Sequence, residues 1–309
     1  MTLPLPSLRQ LRYLVALAEH GHFGRAADSC AVTQSTFSAG IQELENTLGG
    51  VSLVERSKRH VLVTPLGHDV VARARRILRE AEDLAEAVQT ARAPLSGPLR
   101  LGVIPTVGPY LLPRIMPRLK DSFPGLQLYV REEQTAGLIE KLTGGRLDLL
   151  LIAKPYELGD AVETMEVGED ELMVACPAGH RLAAESSVAG HRLRAEPLLL
   201  LEDGHCLRSQ ALAACDLAAA DRNEVFQSTS LRTLVQMVAA GLGCTLIPRM
   251  ALEAEAPAAG TDAESPVAVR PLGPGRHART IALAWRRTSG RKDEFRRFGE
   301  FIAEAAAKA

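Results

Sequence analysis

No stretch of this 309-residue chain approaches the roughly 20 consecutive apolar residues needed to cross a bilayer. Nor does its amino terminus, MTLPLPSLRQ, carry the basic-then-apolar order of a secretory leader. These absences point to a cytoplasmic location and to no membrane partner. The five cysteines (Cys30, Cys176, Cys206, Cys215 and Cys244) make no CxxC pair and no CxxC…HxxxH set, so neither a metal nor any other cofactor is expected. In a reducing compartment an odd number of cysteines does not build a permanent framework, and any disulfide here is expected to be transient. Bulk charge is missing as well. The net is −1, and residues 1–93 hold 11 basic against 10 acidic side chains, so composition alone does not announce a nucleic-acid binder.

What is present is an ordinary globular balance, 46% hydrophobic and 24% charged, over a length that suits two or three domains. Charge is uneven within it. Residues 51–79 carry seven basic side chains (Arg56, Lys58, Arg59, Arg73, Arg75, Arg76, Arg79) and two acidic ones (Glu55, Asp69), enough for a local basic face. Before that segment, Leu8, Leu11, Leu14, Val15 and Ala18 recur at steps of three and four, one face of a helix that Ser7 can cap and Gly21 can end. Phe23-Gly24-Arg25-Ala26-Ala27 opens a short second helix whose alanines permit close packing, and Thr33 can cap a third running to Leu48-Gly49-Gly50. Two short helices around a tight turn describe a helix-turn-helix. Its second helix would carry Gln34, Ser35, Thr36, Ser38 and Gln42 into a major groove to read base edges. Residues 52–56 and 60–63 alternate as two strands around the basic tip Ser57-Lys58-Arg59, a wing able to meet the phosphate backbone through Arg56 and Lys58. A small helical core with a surface hairpin would show the same periodicity.

The segment LRYLVALAEHGHFGRAADSCAVTQSTFSAGIQELENTLGGVSLVERSKRHVLVTPLG is similar along its whole length to the amino-terminal signature of the LysR-type transcription regulators. That resemblance implies double-stranded DNA as a partner, with Gln34, Thr36 and Ser38 facing it and Arg56 holding a phosphate or reaching the minor groove. Positions 39–43 read Ala-Gly-Ile-Gln-Glu where relatives commonly carry basic residues, and Gly40 costs its helix about 1 kcal/mol relative to alanine.

Thr64-Pro65 supplies a cap and a first-turn proline for a helix that runs to Thr90. Along it Val70, Ala74, Ile77, Ala81, Leu84 and Val88 alternate steps of four and three, a heptad seam that calls for a partner helix, although packing on its own domain would use the same residues. The resemblance implies that two copies pair through this helix, that dimers assemble into a tetramer, that the operator is roughly palindromic, and that RNA polymerase is a further partner. Residues 91–98, with two prolines and a glycine, break all periodicity and read as a hinge. The expected division is a winged helix-turn-helix over 1–64, a dimerisation helix over 65–90, the hinge over 91–98 and a regulatory domain over 99–309.

In that last part, strands at 99–104, 126–130 and 148–153 alternate with helices at 111–119 and 138–142, an α/β unit. Further strands at 172–176, 197–201, 244–247 and 280–285, with helices at 230–240 and from Lys292, suggest a second, interleaved lobe. The resemblance implies a two-lobed α/β effector domain like that of periplasmic solute-binding proteins, with a cleft where ligands gather at strand carboxyl ends. Thr106 and Thr135 each follow a strand and can aim a hydroxyl at that cleft, though many threonines in such places are simply caps.

Within LEDGHCLRSQALAAC, Cys206 stands between His205 and Arg208, positive neighbours that favour the reactive thiolate. For arbitrary cysteines, two buried small hydrophobes are the better account of Cys206 and Cys215. GHCLRSQALAAC and IPTVGPYLLP resemble the peroxide-sensing branch of the LysR-type family, and the remaining assignments are what that resemblance implies. Cys206 is then the thiolate that attacks hydrogen peroxide, and Cys215 resolves the resulting sulfenic acid to a disulfide. Thr106, Thr135 and His205, with Arg208 beside them, hold the peroxide and stabilise the departing hydroxide, while Arg279 tunes the thiolate. Ser209 stands where relatives often carry an acid. Residues 207–215 are good helix formers, and nine helical residues at about 1.5 Å each separate the two cysteines by roughly 13 Å, against the roughly 7 Å that a disulfide tolerates. Pairing would require unwinding, which makes the bond a switch. Two rivals remain open: a small organic ligand in the cleft in place of the thiol switch, and a thiol peroxidase, which has no use for a winged helix-turn-helix.

Overall fold

The computed structural model describes residues 4–56, 61–90, 95–215, 224–256, 265–273 and 277–307. They form two compact units, the first built chiefly from the chain up to Arg92 and the second from Ala93 onward. Among the described residues no helix is long and apolar enough to cross a membrane.

The first unit contains α1 (Leu8–His20), α2 (Phe23–Ser29), α3 (Gln34–Thr47), a hairpin of β1 (Val54–Arg56) and β2 (Val61–Val63), and α4 (Pro65–Thr90). Each helix start is marked by a side chain that satisfies an otherwise orphaned amide. Ser7 and Gln10 form a reciprocal capping box, Thr33 accepts from the Thr36 N–H, and Thr64 Oγ1 accepts from the Gly67 N–H at 2.9 Å. The α2 cap is His22, whose Nδ1 accepts from Gly24 and Arg25, a role the sequence did not announce. Leu14, Leu17, Phe37, Ile41 and Leu44 form the core, closed from the α4 side by Val71 and Ala74. Tyr13 stacks on Phe37 with ring centroids 4.8 Å apart, and a Cβ at Gly40 would sit 2.6 Å from the Tyr13 ring. The helix propensity sacrificed at Gly40 is therefore the condition for α1 to cross α3 this closely. Glu45 is buried at the far end of α3, where its carboxylate accepts the Leu53 N–H at 2.8 Å and fixes the start of the wing. The wing tip with Lys58, and the side chain of Arg56, lie outside the described residues.

The heptad seam of α4 divides in two. Ala74 is buried against the core of this unit and Val70 packs partly on it, whereas Ile77 is 47% and Leu84 72% exposed. Self-packing thus accounts for Val70 and Ala74 of the seam but not for Ile77 and Leu84.

The second unit runs through β3 (Gly97–Val103), α5 (Gly108–Ser122), β4 (Leu126–Glu132), α6 (Thr135–Thr143), β5 (Leu149–Lys154), β6 (Val162–Pro177) and β7 (Leu198–Leu201). It continues through α7 (Cys206–Ala214), β8 (Glu224–Ser228), α8 (Leu231–Ala239), β9 (Thr245–Pro248), α9 (Leu252–Glu255), β10 (Val267–Pro271), β11 (Ala278–Arg286) and α10 (Lys292–Ala307). Strand order is β4-β3-β5-β11-β6-β10, with β9 also on β6. Strands β4, β3 and β5 are parallel, as their helical crossovers require, while β11 lies antiparallel between β5 and β6. The long β6 makes two lobes of one sheet: its first part pairs with β11, and from Leu172 on it is flanked by β9 and β10. Each lobe has its own core, one around Leu101, Leu151, Trp285 and Phe298, the other around Val174, Leu199, Val235 and Ile247. This is the two-lobed α/β fold expected from sequence.

Three details differ from expectation. The first strand takes in Gly97 and Pro98, which had been read as hinge. Strand β6 begins at Val162 rather than 172, because VETMEVGEDE is too charged to be read as a core strand without sight of β11 beside it. The short β8 and β10 were not anticipated; the latter, VAVRP, offers only two of its five residues to a recognisable alternation.

Candidate functional site

The two lobes of the second unit converge on Cys206. Thr106 follows β3 and Thr135 opens α6 after β4, both in the first lobe, while Cys206 opens α7 just beyond β7 in the second. The approach is tight. Gly204 adopts a positive φ of 94°, a backbone conformation that strains any L side chain, so glycine is what the loop before Cys206 calls for. Gln210 on α7 reaches back across the lobes and donates from Nε2 to the Lys154 carbonyl at 3.2 Å.

Cys206 is buried with its Sγ 3.0 Å from Thr135 Oγ1. It lies within the electrostatic reach of Arg279 on β11, itself 1% exposed. Its Nη1 donates to Thr106 Oγ1 at 2.8 Å, its Nη2 to the Thr106 carbonyl at 2.7 Å, and its Nε to Asp170 Oδ2 at 3.0 Å. Asp170 is the directly opposed residue on β6, and its other oxygen accepts the Met250 N–H at 3.0 Å. A buried charge has to be paired and hydrogen-bonded, and this one is. Because Arg279 occupies a lone pair of the Thr106 hydroxyl, that hydroxyl retains a proton to offer a guest.

Burial pushes the Cys206 thiol up, opposed by the Thr135 hydrogen bond, by the charge of Arg279 and by the backbone N–H at the start of α7. Burial pushes His205 down, so its imidazole is neutral near neutrality. The positive neighbours expected from sequence are thus corrected. His205 is uncharged, and Arg208 directs Nη1 to the Leu201 carbonyl at 3.0 Å and Nε to Asp203 at 2.8 Å, bracing the loop between β7 and α7. The cation that acts on the thiol is Arg279. Of the expected residues, Thr106, Thr135, Cys206 and Arg279 are brought together, with His205 buried as the first neighbour of Cys206 in the chain. Asp170 was missed, and only the pairing of β6 with β11 distinguishes it from Glu169 and Glu171 beside it.

Cys215 sits at the other end of α7 as its C-cap, fully buried, with its carbonyl accepting from Arg194 Nε at 3.1 Å. Neither cysteine is in a disulfide. The intervening helix has nine residues and a rise of roughly 13 Å, so the two cannot bond in this conformation.

In the first unit α3 leaves Gln34, Ser35, Thr36 and Gln42 exposed, with Ser38 half-buried. Thr33 Oγ1 lies 3.0 Å from Ser35 Oγ and 2.9 Å from Thr36 Oγ1, which organises the amino-terminal turn of that helix. A helix presenting short polar side chains at its amino-terminal end can read base edges in a major groove.

Comparison with known proteins bears on both units. The family description "Bacterial regulatory helix-turn-helix protein, lysR family" matches residues 8–68, and "LysR substrate binding domain" matches residues 92–307. The chain is 43% identical over 296 residues to the "DNA-binding transcriptional dual regulator OxyR" of Escherichia coli strain K12, covering 96% of this chain and 94% of that one. It is also 43% identical to the "Hydrogen peroxide-inducible genes activator" of Pectobacterium carotovorum, covering 96% of each. Among solved structures, a full-length OxyR variant from Pseudomonas aeruginosa superposes with a TM-score of 0.77 at 37% identity, over 97% of this chain and 94% of that one. A hydrogen-peroxide-bound cysteine variant of Corynebacterium glutamicum OxyR gives a TM-score of 0.66 at 32% identity, over 99% and 94%.

Proposed function

This chain belongs to the LysR family of DNA-binding transcription regulators, in its OxyR-like, peroxide-responsive group, and we propose that it is switched by a reversible disulfide between Cys206 and Cys215. The observation that carries this reading is Cys206 at the start of α7, its sulfur 3.0 Å from Thr135 Oγ1 and within the electrostatic reach of the buried Arg279 guanidinium, with a second buried cysteine at the far end of the same helix.

The chemistry follows from the donors present. Once its proton leaves, the Cys206 thiolate attacks one peroxide oxygen; the O–O bond breaks, and the departing hydroxide is met by the hydroxyls of Thr106 and Thr135 and by neutral His205, taking up a proton to become water. Arg279 acts as a positioning residue for Thr106 and offsets the developing charge on sulfur. Cys215 then attacks the sulfenic sulfur and releases a second water, leaving a disulfide. Because the helix holds the two ends apart, that step is coupled to unwinding α7, and the free energy of the bond becomes conformational change.

A helix-turn-helix joined to a sensing domain supports a cytoplasmic regulator of oxidative-stress genes rather than an enzyme. Gln34, Ser35, Thr36, Ser38 and Gln42 are assigned to base reading, and Arg56 and Lys58 to the backbone, of a roughly palindromic operator. Pairing of copies through the exposed half of α4 is supported by Ile77 and Leu84, with a tetramer and contact with RNA polymerase as the assembled state.

The test is disulfide mapping after one equivalent of hydrogen peroxide, comparing wild type with Cys215→Ser. A Cys206–Cys215 link in the wild type and a trappable sulfenic acid at Cys206 in the variant are expected. Two free thiols in the treated wild type would overturn the switch while leaving the DNA-binding assignment, and would redirect the search to a small organic ligand in the cleft. Peroxide consumption far beyond one equivalent per chain, with a reductant present, would favour a thiol peroxidase.

A further inference from the structure

Cys176 and Cys244 take no part in the switch, and both are buried in the second lobe with free thiols. Their placement is specific. Antiparallel β6 and β9 pair Leu172 with Pro248 and continue to Ala175 with Thr245, and one further step of that register sets Cys176 opposite Cys244. The backbone of Cys244 turns away from β6: its N–H donates to the Pro197 carbonyl at 2.9 Å, and its carbonyl accepts the Leu199 N–H at 2.8 Å. The two cysteines thus follow directly on the last pair of that ladder, in the positions of a non-hydrogen-bonded antiparallel pair. Such pairs hold their Cα atoms about 4.5 Å apart with side chains on the same face, inside the roughly 4.4–6.8 Å that disulfides span. The thiols also sense each other. Burial pushes Cys244 up to about 12, and the charge of Cys176 adds to that rise.

We propose that Cys176 and Cys244 are a second redox-active dithiol, closing to a disulfide that staples β6 to β9 in the lobe that carries Cys206. The oxidant is hydrogen peroxide in excess. One thiol loses its proton and its sulfur attacks an oxygen, giving a sulfenic acid and, after protonation, water. The other then displaces the sulfenic oxygen as a second water, so two S–H bonds and the O–O bond are exchanged for one S–S bond and two waters. Cys176 Sγ now leans toward the Ala268 carbonyl at 3.7 Å, a weak contact that closure would exchange for the bond to Cys244.

This pair differs from the first in two ways. It needs no unwinding, because the strands already hold it in register. It is also slow, because both sulfurs are buried as thiols and are reached only when the strands open locally. Its position gives it reach: Cys244 is hydrogen-bonded to the β7 edge, and β7 leads into the loop before Cys206. The second bond thus records prolonged oxidation in the same lobe that reports a brief pulse.

The experiment uses the full chain carrying Cys206→Ser and Cys215→Ser, treated with excess hydrogen peroxide; remaining thiols are then alkylated and peptides mapped. A Cys176–Cys244 cross-linked pair is expected, forming at least about tenfold more slowly than Cys206 reacts in the wild type and absent when Cys176→Ala is added. Recovery of both as alkylated thiols or as sulfinic acids, or their linkage to Cys30 or between chains, would overturn the proposal. Should the double variant fail to fold, wild type closed first with one equivalent of peroxide and then given excess answers the same question. Because the variant lacks the switch cysteines, failure of this pair to close leaves the Cys206–Cys215 reading untouched.

Discussion

Cys206 is held under two opposed demands, concealment from solvent and readiness to carry charge. Burial, the larger influence, keeps it a thiol, and Thr135, Arg279 and the local amide recover part of the thiolate's stability. Below an elevated pKa the thiolate fraction rises about tenfold per pH unit, so the rate of sulfenic acid formation should keep climbing from neutrality past the ordinary thiol value of 9.0. Stopped-flow oxidation of the Cys215→Ser protein across that range checks this, and a plateau near neutral pH would contradict it. Thr135→Val preserves shape and removes the one hydroxyl bonded to the sulfur. At about 1 kcal/mol for such a bond, oxidation should slow roughly fivefold with little change in melting temperature. Asp170→Asn strands the Arg279 guanidinium in the interior, and a loss of roughly 3–5 kcal/mol in denaturant unfolding is expected. The cysteines, threonines and Arg279 were legible because a motif resemblance names them; Asp170 was not, since its importance comes from strand pairing and its neighbours are acidic too.

Periodicity and capping chemistry are local, and they located the helices well: α4 was expected from Pro65 to Thr90 and occupies those residues, and α3 begins immediately after its Thr33 cap. Strands that depend on a distant partner were harder to see, as the charged first half of β6 illustrates. Local rules also mislead at Gly40. Propensity alone says that Gly40→Ala should stabilise α3 by about 1 kcal/mol, whereas the Tyr13 ring lies where the new Cβ would go. Thermal unfolding should show a net loss of up to roughly 2 kcal/mol, an overpacking cost of about 1–3 kcal/mol less the propensity gain. In α7 the balance runs the other way, because there helix strength opposes function. Ala213 is exposed, so Ala213→Gly weakens the helix by about 1 kcal/mol without disturbing the core. Closure of the Cys206–Cys215 bond should accelerate up to about fivefold while the preceding oxidation of Cys206 keeps its rate, two phases that rapid quenching and thiol counting separate.

For the molecule as a whole, the question is why so mildly charged a chain should bind DNA specifically. One recognition helix covers one half-site, and a net charge of −1 gives little general attraction to phosphate. Specific affinity then has to come from two recognition helices acting together, where linking multiplies binding by roughly 10²–10⁴. The element able to link them is α4, 26 residues and roughly 39 Å long, with Ala74 spent on its own unit and Ile77 and Leu84 left in solvent. A substitution on the exposed half separates assembly from folding. Leu84→Glu places a charge in the seam where a partner helix would bury it, so sedimentation should show dissociation to monomers, and affinity for a palindromic duplex at fixed salt should fall by at least about 100-fold. The melting temperature of the helix-turn-helix unit should hold, because Leu84 contributes nothing to its core. Ala74→Glu, by contrast, should unfold that unit and abolish binding for a different reason, visible in circular dichroism. Should Leu84→Glu remain associated and bind the duplex as wild type does, α4 would not be the pairing element, and the palindrome would have to be read by copies joined elsewhere.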